Sequence, residues 1–252
     1  MRFSILRSLR PTPTFLVLLA LFLTVDVFLI GMFLPFKLGW VSDPSFKLGQ
    51  DGGFGELFGY AKALWIGLCA AAIAIRTRQP VFAAFAALFL MFLADDAGML
   101  HEYWGVRIGD ALGIGTVLGM RPHDVGEILF VGSWAGPILV MGALSYWKSR
   151  PAARRVAHVG LVGIGALAAF GIGMDVVHQI AMAGPEVNGL HTLLTTIEEG
   201  GEMMVLSVLA AGAISLLAAR LGGGGPAAPG FCGDGAVEWS VAALPPLRTP
   251  VL

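Results

Sequence analysis

Phe15-Leu16-Val17-Leu18-Leu19-Ala20-Leu21-Phe22-Leu23-Thr24-Val25-Asp26-Val27-Phe28-Leu29-Ile30-Gly31-Met32 carries one charge in eighteen residues. A helix of that length rises about 27 Å, close to the roughly 30 Å hydrocarbon thickness of a bilayer. Comparable apolar runs recur over about 58–75, 81–103, 125–146, 157–179 and 195–219. With the first, at 14–34, they predict an all-α, polytopic integral membrane protein built as a six-helix transmembrane bundle.

Composition agrees. Of 252 residues, 56% are hydrophobic and only 13% charged, with a mean hydropathy of +0.79. Soluble domains carry about 25% charged residues, so a soluble or disordered chain is excluded. Sixteen basic against 17 acidic residues leave no basic field for nucleic acid. The expected partners are membrane lipids and other membrane subunits. Cys69 and Cys232 suggest neither a disulfide framework nor a thiolate metal site. Arg2, Arg7 and Arg10 before the first run superficially resemble a signal peptide. The run is too long and contains Asp26, so it reads as a retained helix.

Basic residues favour the cytoplasmic side of a membrane. With the N-terminus inside, 11 fall in cytoplasmic segments and 4 in outer loops. Lys62 alone sits within a span. Both termini are therefore expected in the cytoplasm, with the protein in a plasma membrane such as the bacterial inner membrane. Residues 1–220 read as the transmembrane domain and 221–252 as a Gly/Pro-rich tail. Residues 104–124 are apolar for a loop and read as an interfacial or re-entrant segment. Gly113-Ile-Gly115-Thr-Val-Leu-Gly119 is not a dinucleotide fingerprint, because its spacing is wrong and no strand precedes it.

Nine carboxylates lie within the spans: Asp26, Asp95, Asp96, Glu102, Glu127, Asp175, Glu198, Glu199 and Glu202. From the helical rise, all fall in the outer half. Asp95 and Glu102, one heptad apart, are expected on one face. Asp175 and His178 share another, and His191, Thr195, Glu198 and Glu202 a third. Polar faces are not stable against lipid, so they should meet in one interior site. Lys62 cannot balance nine acids. Protonation, a wet vestibule or bound cations can, and His101 and His178 at the same level favour cations.

The expected ligands are Asp95, Asp96, His101, Glu102, Asp175, His178, Glu199 and Glu202, supported by Asp26, Glu127, His191 and Glu198. Carboxylate and imidazole without thiolate suit a divalent Fe, Mn or Zn ion. Helix capping competes with chemistry at Asp124-Val-Gly-Glu127 and Thr195-Thr-Ile-Glu198, which both have the capping-box form. His123 and His158 are assigned to the outer and inner surfaces.

Carboxylate-bridged di-metal bundles place Glu-x-x-His pairs on two helices. Here Asp175-Val-Val-His178 is one such pair in aspartate form. The leading expectation is a membrane metalloenzyme acting on a lipid-soluble substrate. It would be either a di-iron or manganese oxidoreductase, or a zinc hydrolase built on His101, His178 and His191. The alternatives are a cation or proton transporter or sensor, and an accessory subunit of a larger membrane complex.

Overall fold

A computed structural model describes residues 11–117, 120–182 and 188–222. The described residues are overwhelmingly helical and form no strand beyond an isolated bridge between Val117 and Met120. Six spans are long and apolar enough to cross a membrane. The chain is a multi-pass helical membrane protein.

Helix α1 runs Pro13–Lys37, α2 Phe54–Thr77 and α3 Pro80–Ala97. A short α4, Leu100–Ala111, precedes α5, Pro122–Lys148. Helix α6, Pro151–Ala168, passes through a π-helical turn, Ala169–Gly173, into α7, Met174–Met182. Helix α8 spans Asn188–Gly222.

Proline starts α1, α3, α5 and α6 in their first turns, where its missing N–H costs nothing. Thr12 caps α1 by accepting the Phe15 N–H at 3.1 Å. At α5 the Asp124 carboxylate accepts the Arg121 backbone N–H at 2.7 Å and also pairs with its guanidinium at 2.9 Å. Capping there thus falls on Arg121 and Asp124, not on the pair Asp124 and Glu127. The sequence Thr195 to Glu198 caps nothing, because α8 begins at Asn188 and both residues lie inside it.

The third apolar run is not one helix. It ends at Ala97, and Met99 takes a left-handed φ of 50° before α4 begins. Asp95 and Glu102 therefore sit on different helices, and the expected shared face does not exist. Residues 104–111 belong to α4, whose last turns pack antiparallel to the start of α5. Gly105 lies against Gly126, and Gly109 against Pro122. A Cβ on Gly126 would collide with the Gly105 carbonyl, so this approach needs glycine.

The core joins α1, α2, α3 and α8 through Phe22, Ala63, Ile66, Phe89, Leu206, Ala210 and Ala211. Phe22 stacks on Trp65 at 5.5 Å and meets Phe58 edge-on. A second cluster, around Ile73, Val81, Phe82, Ala153 and Ala157, fills the end where α2 turns into α3. No residue is fully buried in the most apolar stretch of α5, which packs on α3 along one side, with Gly142 against Ala84.

Charge divides the bundle by end. Every Asp and Glu among the described residues lies toward the end holding the α1–α2 and α7–α8 connections. Arg76, Arg78, Lys148, Arg150, Arg154, Arg155 and Arg220 mark the opposite end. There, Gln79 accepts the Arg150 backbone N–H and ties the two turns together. The expected tail, apart from Leu221 and Gly222, lies outside the described residues.

Candidate functional site

Two polar constellations and a carboxylate-lined cavity occupy the acid-bearing end. The deepest constellation centres on Lys62 of α2. Its Nζ donates to Asp26 Oδ1 at 2.8 Å, to the Met203 carbonyl at 2.8 Å and to Ser207 Oγ at 3.2 Å. Ser207 in turn donates to Asp26 Oδ2 at 2.5 Å. Lys62, Asp26 and Ser207 are fully buried. All three ammonium protons have acceptors, which is the condition under which a buried pair is tolerated. Removing one partner of such a pair costs about 3–5 kcal/mol. Asp26 thus bolts α1 to α2 and α8, rather than supporting a metal site.

Above Met203 lies a cavity of about 40 Å³. It is room for about three or four waters at roughly 10–15 Å³ each. Glu56, Asp96, Glu199 and Glu202 line it, with Phe92 and Leu206 among the apolar wall. No basic residue is in the lining. Glycines let the walls close in. Gly49, in the loop after α1 with φ +66°, would place a Cβ 2.5 Å from Glu199 Oε1, and Gly171 of the π-turn would place one 2.8 Å from Glu202 Oε1. Leu48, next to Gly49, is buried with Leu29, Phe33 and Met203, so the loop packs down over the cavity. A π-turn widens a helix locally, and here it seats Phe170 on Gly201, beside Glu202.

Beside the cavity runs a chain of imidazoles. His178 of α7 places Nδ1 2.9 Å from Glu198 Oε2 and Nε2 2.7 Å from His191 Nδ1. The two rings lie 4.9 Å apart. His191 is exposed, and His178 and Glu198 are mostly covered. Asp175, one turn before His178, accepts a long 3.5 Å bond from Gln179. Helix α8 has 35 residues and measures about 52 Å, well beyond the hydrocarbon thickness. Its first turns, with His191, therefore reach water.

A family model described as "Domain of unknown function (DUF8692)" matches residues 7–216. The chain belongs to this family. No curated protein and no solved structure matches it.

The expected ligands are thus distributed rather than gathered. Asp96, Glu199 and Glu202 meet at the cavity, while His178, Glu198 and His191 form the chain beside it. Asp95 instead pairs with His101 across the α3–α4 break at 3.5 Å, an ion-pair distance and long for a hydrogen bond. The contact with the Asp95 carboxylate, followed by the charges of Glu127 and Asp96, raises the His101 pKa to about 9 against burial. Glu127 packs over Gly105, and Glu102 is half-buried on α4. Among the described residues, no three His, Cys, Asp or Glu side chains are disposed to hold one metal ion. The reason is local. Both nitrogens of His178 are engaged by Glu198 and His191, and the helix break turns His101 toward Asp95.

Glu56 lies outside the apolar runs, between the first at 14–34 and the second at 58–75. It stands in the first turn of α2, where its carboxylate accepts the Gly52 N–H at 2.6 Å. The signal was present: Gly53 precedes the helix and Glu56 follows at the third helical position, the place of a capping acid. The Lys62–Asp26 pair was legible only as a lone intramembrane cation in need of an anion.

Proposed function

We propose that this membrane protein takes up and releases protons at its acid-bearing end. The route runs from exposed His191 through His178 to Glu198 and on to the cavity lined by Glu56, Asp96, Glu199 and Glu202. The observation that carries this reading is the pair of short contacts on the two nitrogens of His178. Imidazole both donates and accepts, so a proton received at one nitrogen can be released at the other. The cavity then supplies acceptors. Four carboxylates with no basic residue in the lining require protons or a cation between them, since like charges that close do not all persist.

Two features favour a proton-responsive protein over the metalloenzyme. The cavity is water-sized, too small for a lipid-soluble substrate. The histidines and carboxylates also do not form a three-ligand set among the described residues. The apolar layer beyond the cavity, closed by Phe89, Ala210 and Ala211, favours one-sided exchange over transport. The excess of basic residues at the opposite end supports an orientation with the acids outward from the cytoplasm of a plasma membrane.

The test is proton uptake after a downward pH jump, followed with a soluble dye on protein in nanodiscs. Glu199→Gln and Glu202→Gln should each remove up to about one proton of uptake per chain. His178→Ala should slow the uptake and lower its total by no more than the one proton the imidazole itself takes up. Uptake by the Glu199→Gln/Glu202→Gln double variant equal to that of the parent would reject the reading. Stoichiometric divalent metal in the parent, lost in His178→Ala, would replace it with the metal site.

A further inference from the structure

Helix α4 carries a feature that the proton route does not use. Its inner side packs on α5 through Gly105 and Gly109. Its outer side exposes Tyr103, Trp104, Val106 and Arg107. The Arg107 guanidinium lies 3.5 Å from the centre of the Tyr103 ring and 6.0 Å from that of Trp104. One N–H, on Nη1, donates to the Tyr103 carbonyl at 3.3 Å. Among the described residues, no carboxylate lies within ion-pair distance of Arg107. The other N–H groups of the fork have no hydrogen-bond partner among the described residues.

The depth of this cluster follows from α5. That helix has 27 residues, a length of about 40 Å, against about 30 Å of hydrocarbon. Its first turn therefore rises into the headgroup layer. Helix α4 runs antiparallel to it, with Gly109 beside Pro122 and Gly105 beside Gly126. Arg107 lies between those two levels. Trp104 stacks on Phe130 of α5 at 6.3 Å, with the rings nearly parallel, and Phe130 is two turns further into the bilayer. The cluster is thus ordered along the membrane normal. An aromatic foot stands at the edge of the hydrocarbon, and the Arg107 guanidinium folds back from its backbone, one turn higher, onto the Tyr103 ring at the top of that foot.

We propose that Arg107, with Tyr103 and Trp104, is a binding site for the phosphate of an anionic phospholipid headgroup, with the acyl chains descending past Trp104 and Phe130. A guanidinium matches two phosphate oxygens at once. Holding it against Tyr103 removes much of the rotamer freedom that binding would otherwise cost. A zwitterionic headgroup places its own ammonium beside the phosphate and gains less. This inference does not rest on the proton reading, because no group of the relay takes part in it.

The test uses the full chain in nanodiscs of phosphatidylcholine and phosphatidylglycerol in equal parts. The protein is extracted into mild detergent, and its retained lipids are counted by native mass spectrometry. Phosphatidylglycerol should exceed phosphatidylcholine about fivefold, the ratio expected for one basic residue at an anionic surface. Arg107→Gln should bring the ratio close to unity, Tyr103→Ala should lower it, and Arg107→Lys should retain part of it. Lys47→Gln, which removes an exposed charge at the same end, should leave it unchanged. No preference in the parent, an unchanged ratio in Arg107→Gln, or equal loss in Lys47→Gln would overturn the site. So would displacement of the retained lipid by inorganic phosphate in the wash, since that would assign the fork to a free anion.

Discussion

His101 joins two helices that the backbone separates. It stands one residue past Leu100, just after the left-handed Met99, and reaches back to Asp95 of α3. Its folded pKa of about 9 compares with an ordinary value of 6.5. A group whose pKa is raised by folding stabilises the fold most below its unfolded value, and that contribution disappears as pH rises through the folded one. The stabilisation from His101 should therefore be complete below pH 6.5 and lost by about pH 9. It amounts to roughly a few kcal/mol at most, and Glu127 and Asp96 share in it. The unfolding temperature should fall between those pH values, and His101→Gln should flatten that part of the profile. A profile unchanged by the substitution would assign the dependence to other groups. At this scale the sequence was partly informative. It marked His101 and Asp95 as polar residues toward one end, yet by assuming an unbroken helix it set Asp95 on a shared face with Glu102.

Among the elements, α4 depends most on one packing contact. Gly126 meets the backbone of Gly105, so a methyl group there cannot be accommodated by moving a side chain. Gly126→Ala should push the helices apart and cost about 1–3 kcal/mol, the usual range for overpacking. It should also loosen the Trp104–Phe130 stack. Thermal unfolding checks this, together with the Trp104 emission taken as the difference from a Trp104→Phe chain, since the sequence has six tryptophans; parent stability and an unshifted difference spectrum would show that the seam is softer than its geometry. The apolar runs made the six spans legible, because length and hydropathy alone decide membrane crossing. The α3–α4 break was not legible. Hydrophobicity continues through Gly98-Met99-Leu100, and nothing in a methionine announces a left-handed φ. The π-turn was equally silent. It fits an extra residue into a helical turn, which rotates the α7 side chains relative to those of α6. The direction in which His178 points toward α8 therefore could not be counted from Pro151. That all the intramembrane acids crowd one end was readable from helical rise. Which acid meets which histidine depended on those two irregular turns.

At the scale of the molecule, the acids lie at one end, most of the basic residues lie at the other, and an apolar layer lies between them. The basic end, with Arg76, Arg78, Lys148, Arg150, Arg154 and Arg155, should face the cytoplasm, where such residues are retained. The loop over Gly49 and the start of α8 should then face outward. Cysteine labelling distinguishes the two faces. In a chain with Cys69 and Cys232 replaced by Ser, Ser42→Cys and Arg150→Cys place thiols at exposed positions on opposite ends. A membrane-impermeant maleimide added to intact cells should label residue 42 and not residue 150, and both should react once the membrane is permeabilised. Labelling of residue 150 from outside would invert the protein. It would also place the cavity of Glu56, Asp96, Glu199 and Glu202 against cytoplasmic water, so the relay from His191 would sample the internal pH. Labelling of residue 42 alone would leave proton exchange with the external side, because Ala210 and Ala211, both fully buried, belong to the layer that separates the cavity from the far end.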